Sequence, residues 1–140
     1  LIVVNYANPD MVGHTGIMPA ALQAVETIDT CLGRLENALV NAGGTMLVTA
    51  DHGNIELMQD PHTHEPHTAH TTFLVPVFLV NAAATHQSFT LTDGRLADVA
   101  PTILSLMQIA QPAAMTGHSL LIDANSLSEA SGSTPARAAV

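Results

Sequence analysis

Three observations predict an α/β fold with a parallel sheet. Two short apolar runs, residues 1–5 and 45–50, read as strands, and one long helical pattern over residues 19–41 separates them. A third β-type run follows at residues 73–80. Strand, long helix, strand makes a βαβ unit, whose strands run parallel through a right-handed crossover.

Each element has a local reason. Leu1, Ile2, Val3 and Val4 form a continuous apolar run, as expected of a strand buried on both faces. Pro9 and Gly13 then predict a loop. Leu22, Val25, Ile28, Leu32, Leu35 and Leu39 recur at spacings of three and four, the stripe of an amphipathic helix, and Gly43-Gly44 ends it. Residues 51–72 hold five His and two Pro without an apolar period, which predicts an ordered functional loop. Pro76 makes the start of the third strand irregular. Asp93-Gly94 predicts a small hairpin over 88–95. Helical spacing returns over 96–107, with Pro101 tolerated in its first turn. Residues 116–122 read as a turn and a short apolar segment. The expected organisation is one domain over 1–123 and a disordered Ser/Ala-rich tail over 124–140.

Composition narrows the function. The apolar fraction is 47%, too high for a disordered chain, while charged residues make only 11%, so part of the surface is expected to be covered. The net charge is −9 and there is no lysine; Arg34, Arg95 and Arg137 are the fixed cations. Neutralising a nucleic-acid backbone or an anionic membrane surface needs clustered Lys and Arg, so both partners are excluded. No apolar run approaches the roughly 20 residues of a membrane helix. Cys31 stands alone in the helical pattern, so no disulfide framework is expected and a reducing cytoplasm is the default. A chain opening without Met, directly in a strand, reads as a fragment.

Chemistry-bearing residues gather at the strand ends. Asp10 and His14 follow the first strand, Asp51 and His52 follow the second, and His70 precedes the third. Ligands of open α/β sheets bind beyond the carboxyl ends of strands. Carboxylate and imidazole together suit a divalent ion such as Mn²⁺ or Zn²⁺. Taken singly, Asp10 could cap a helix, His14 could be an ordinary hydrogen-bonded residue, and Asp51-His52-Gly53 could be a plain turn. The set outweighs its members. Asp10 and His14 are expected on a loop that turns both inward, and Gly53 is expected to let Asp51 and His52 face one way. His62, His64, His67, His86 and His118 are structural or surface residues by default, with His67 the closest to a ligand.

The segments Asn5–Gly16, Thr49–Asn54 and Pro66–Thr72 closely resemble the metal-site motifs of the cofactor-independent (2,3-bisphosphoglycerate-independent) phosphoglycerate mutases, in the alkaline phosphatase superfamily. The resemblance continues through Leu96–Thr102 and Met115–Leu120. It implies a partial alkaline-phosphatase-like parallel-sheet sandwich with helices on both faces. It implies interconversion of 3-phosphoglycerate and 2-phosphoglycerate through a phosphoserine, usually with two Mn²⁺ ions, with Zn²⁺, Co²⁺ or Mg²⁺ as substitutes. Asp10, His14 and His70 would hold the first ion, and Asp51 and His52 part of the second. The family's nucleophilic Ser and its glycerate-gripping domain have no counterpart here; Ser88, Ser105 and Ser119 sit in other contexts. The partners implied are phosphoglycerate and the missing amino-terminal part of the same protein. The alternatives are another metal-dependent phosphohydrolase or phosphomutase of that superfamily, or a non-catalytic metal-binding fragment.

Overall fold

The computed structural model describes residues 1–81 and 89–123. They belong to two compact units, Leu1–Ala82 and Ala83–Val140. The expected tail, together with Ser88 and His86, lies outside the described residues.

In the first unit, α1 covers Asn8–Gly13 and α2 covers Met18–Ala42. The helical period therefore places α2 to within a residue at each end. Gly43 terminates it in the left-handed region, at φ 67°, which only glycine adopts at no steric cost. The Gly43 N–H donates to Val40 O at 3.2 Å and the Gly44 N–H to Leu39 O at 3.0 Å, satisfying two carbonyls the helix would otherwise orphan. Ala21 and Ala24 form the buried stripe of α2, while Leu22 and Val25 of the expected apolar stripe are exposed.

Strand β1, Thr45–Thr49, pairs antiparallel with β2, Val77–Asn81, with Leu47 opposite Leu79. The expected parallel βαβ pairing is not found among the described residues. Residues 1–5 form no strand; Leu1 is 82%, Ile2 88% and Val3 82% exposed. A strand needs a neighbour to take its backbone N–H and C=O groups, and among the described residues none pairs with this run. Pro76 has no N–H to donate, so β2 begins only at Val77, and the Thr49 hydroxyl donates to Pro76 O at 2.9 Å. Residues 73–76 stay irregular, with Leu74 fully exposed at 99%.

The expected loop over Pro9–Gly13 is instead the short helix α1. Pro9 lies in its first turn, where its missing N–H costs nothing. The long loop after β1 is ordered by backbone bonds. Thr71 N–H donates to Gly53 O at 2.9 Å and His67 N–H to Met58 O at 3.0 Å, with Met58 buried beneath.

In the second unit, β3 (Phe89–Leu91) pairs antiparallel with β4 (Leu121–Asp123). A short 3-10 turn, Leu96–Asp98, leads into α3, Val99–Leu106. The expected hairpin about Asp93-Gly94 is thus not formed. Thr92 N–H continues the ladder onto Leu120 O at 3.0 Å, and Gly94 packs against Leu120 and Asp98 too closely for a side chain. Asp98 is the polar centre of this unit. Its carboxylate accepts from Arg95 N–H at 2.7 Å and His118 N–H at 2.9 Å. The fully buried Thr102 hydroxyl donates to Asp98 O at 2.7 Å and accepts from Leu120 N–H at 2.9 Å.

The backbone N–H groups of His118 and Arg95 hold the Asp98 carboxyl below its usual range, against the opposing effect of burial. A carboxyl lowered on folding adds stability above its unfolded pKa of about 3.9, and loses it as pH falls through the folded value. Unfolding free energy should therefore drop below about pH 4, and Asp98→Asn should flatten part of that drop in denaturant titrations run across the acid range. An equal slope in wild type and variant would remove Asp98 as a contributor.

Candidate metal centre

The helix α1 does for Asp10 and His14 what a loop was expected to do. His14 N–H donates to Asp10 O at 3.2 Å, a helical i,i+4 bond, so both side chains leave one face. His14 Nε2 lies 3.2 Å from Asp10 Oδ1. His70, arriving from the loop before β2, places Nε2 3.0 Å from the same oxygen and 3.2 Å from His14 Nε2. Three donor atoms from two segments of chain therefore form a near-equilateral triangle. Donors bound to one ion at about 2.1 Å lie about 3.0–3.4 Å from each other, so the triangle has the size of a coordination face.

Protonation supports the same use. His14 Nδ1 is 2.6 Å from Thr68 O, and a carbonyl can only accept. Nδ1 therefore carries the hydrogen, and in the neutral ring Nε2 presents its lone pair to the carboxylate. An acceptor facing an acceptor is stabilised by a cation between them. The Asn54 amide holds the Asp10 carboxyl below its usual range; burial works against this, and the positive charge that His14, His70 and His52 carry when protonated adds to it. Asp10 is thus kept as a charged donor.

Asp51 and His52 stay within reach of each other but differ in exposure. His52 turns inward, its ring stacked on His70 at 3.8 Å between centroids and 21° between planes. Donor atoms of Asp10, His52 and His70 all fall within 4.8 Å of one another. Asp51 remains at the rim with its side chain 83% exposed, its Oδ1 3.6 Å from His52 Nε2. A bend at Asp51-His52 keeps the two side chains close while Asp51 stays at the surface.

Three residues given no role by sequence hold the ligands in place. Asn54 is buried, and its Nδ2 donates to Asp10 Oδ1 at 2.9 Å and to Asp10 O at 3.3 Å. Glu56 accepts from Asn54 N–H at 2.7 Å and from the Thr71 hydroxyl. Burial pushes the Glu56 carboxyl up, but the bonds from Thr71 and from the backbone N–H groups of Glu56 and Asn54 outweigh it and leave it lowered. Glu56 and Thr71 so clip the His52 turn to the His70 segment. The one sequence signal was the Asn directly following Asp51-His52-Gly53.

The other described histidines have surroundings of their own. His62 and His64 are exposed on a turn where Asp60 accepts from the His62 and Thr63 N–H groups, with His64 at φ 59°. His67 is half-buried and its Nδ1 has no partner; His118 is exposed and serves Asp98 through its backbone. Among the described residues, no helix is long and apolar enough to cross a membrane.

Known proteins share this arrangement of sequence. A 2,3-bisphosphoglycerate-independent phosphoglycerate mutase of Rhodopseudomonas palustris is 60% identical over 121 residues, which are 86% of this chain and 23% of the relative. One from Cereibacter sphaeroides is 63% identical over 121 residues, again 86% of this chain and 23% of the relative. The crystal structure of Leishmania mexicana phosphoglycerate mutase at low cobalt concentration superposes with a TM-score of 0.74 at 32% identity, covering 85% of this chain and 24% of that one. The likeness extends to fold, so the alkaline-phosphatase-like α/β architecture implied by the motifs is the architecture of this chain's structural neighbour. The chain spans about a quarter of the length of these proteins. The family described as "Metalloenzyme superfamily" matches residues 1–111, the stretch that supplies every donor of the triangle, and the chain belongs to that superfamily.

Proposed function

We propose that this chain supplies the metal-binding face of a 2,3-bisphosphoglycerate-independent phosphoglycerate mutase, which interconverts 3-phosphoglycerate and 2-phosphoglycerate through a phosphoserine. The triangle of Asp10, His14 and His70 carries the reading, since its edges of 3.0–3.2 Å match one coordination face. These three would hold a first Mn²⁺, and His52 with Asp51 would contribute to a second. Divalent ions bound there polarise phosphoryl oxygens and lower the pKa of a hydroxyl nucleophile. Asp10 supplies fixed negative charge, and Thr68 O sets the tautomer that leaves His14 Nε2 free to ligate. His52, stacked on His70, keeps the two sets of donors adjacent.

The nucleophilic Ser and the glycerate-binding groups come, on this reading, from the remainder of the mutase. That remainder is also the partner expected to cover the exposed Leu1, Ile2, Val3 and Leu74. The free, half-buried Cys31 agrees with a cytoplasmic setting.

A chimera tests the proposal. The matching segment of the Rhodopseudomonas palustris mutase is replaced by this chain, and 3-phosphoglycerate conversion is followed in a coupled assay. The chimera should turn over and its His70→Ala form should not, while the 140-residue chain alone should read background. A folded chimera without activity, or one indifferent to His70→Ala, would refute the assignment.

A further inference from the structure

We infer that Asn54 is a positioning residue of the metal centre, whose side-chain amide sets the orientation of Asp10. The inference rests on reading Asp10, His14 and His70 as ligands, and it concerns a residue that itself binds no ion. Asn54 Nδ2 donates to both the carboxylate and the backbone carbonyl of Asp10, at 2.9 and 3.3 Å. Two bonds from one nitrogen to one residue fix both the rotamer of Asp10 and its place on α1. The bonded oxygen, Oδ1, is the one that faces His14 and His70.

The amide has one workable orientation. Turned over, its oxygen would face the Asp10 carboxylate, acceptor against acceptor. As it stands, Asn54 Oδ1 is buried without a partner, a cost incurred only for the sake of the donor side. The space beneath it depends on Gly13, since a methyl there would overlap Asn54 Oδ1 and come within 2.7 Å of Ile55 Cγ2. Gly13 has no positive φ, so its requirement is steric and points at the amide. Asn54 N–H is held in turn by Glu56. The amide therefore ties the Asp10 helix to the His52 turn.

The test uses the 140-residue chain and Co²⁺ alone as probe. Asn54→Leu keeps the branched shape and removes the donor; Gly13→Ala keeps the donor and displaces it. Both should weaken Co²⁺ binding by about 10–100-fold, the usual cost of losing an outer-sphere partner. At saturating Co²⁺ both should also change the position and intensity of the visible d–d bands, which report ligand geometry. A merely structural role would leave the saturated spectrum as in wild type. If Asn54→Leu fails to fold by circular dichroism, Gly13→Ala decides, and the side-chain amide signal of Asn54 in wild-type chain should shift on Zn²⁺ titration in step with occupancy. Wild-type affinity and spectrum in both variants would overturn the role of Asn54 while leaving the centre intact. A wild-type chain that takes up no Co²⁺ would instead remove the centre, and Asn54's role with it.

Discussion

Replacing His70 with alanine should weaken Mn²⁺ binding at the stronger site by at least ~100-fold, and His14→Ala should do the same. Losing an outer-sphere partner costs about 10–100-fold, so losing a direct ligand sets a floor at the top of that range. The geometry explains why neither loss can be repaired locally. His14 Nε2 and His70 Nε2 are 3.2 Å apart and both lie within 3.2 Å of Asp10 Oδ1, so each closes one corner of a three-donor face. His52 is near, but its ring stacks flat on His70, and replacing His70 removes the surface that orients it. His62, on its exposed turn, gives the control: His62→Ala should bind as wild type. Calorimetry and the electron paramagnetic resonance signal of free Mn²⁺ read the same constants independently. Wild-type affinity in both His14→Ala and His70→Ala would show that the triangle is not the binding face.

Gly117→Ala should destabilise the second unit by about 3–5 kcal/mol, adding overpacking to the loss of one or two buried hydrogen bonds. A Cβ at this position overlaps the Ala97 carbonyl oxygen and lies 2.6 Å from Ala97 C and 2.9 Å from Asp98 Oδ1. Backbone atoms cannot swing aside as a side chain can. Segment 117–120 must then retreat, and with it go the His118 N–H bond to Asp98 and the Leu120 N–H bond to Thr102. Gly33→Ala offers the contrast. Nothing lies within 4 Å of its Cβ position in α2, so alanine there should stabilise by about 0.5–1 kcal/mol through helix propensity alone. Chemical denaturation of the two variants should move in opposite directions. An unfolding midpoint unchanged by Gly117→Ala would mean that the Ala97–Gly117 approach is not maintained in solution.

What the sequence by itself determined is local or additive. The apolar period of 3.6 and the double glycine located α2, β-branched residues located β1, and the choice of Asp and His at strand ends selected metal chemistry. These signals are carried by residues near one another in the chain. The tertiary structure decided what depends on distant neighbours. Residues 1–5 have strand composition but pair with no strand among the described residues, and β1 takes β2 in the antiparallel sense. In place of the hairpin expected at Asp93-Gly94, β3 pairs with β4, about 30 residues on. Asp10 and His14 were legible as ligand types, but their placement on one helix face follows from Pro9 starting α1. His52 and Asp51 are chemically equal candidates in sequence; the bend at these residues, clipped by Glu56 and Thr71, brings one in and leaves the other at the rim. Asn54 was legible only as a letter after a motif. Its meaning is a pair of hydrogen bonds across 44 residues of chain, and no periodicity records a contact of that range.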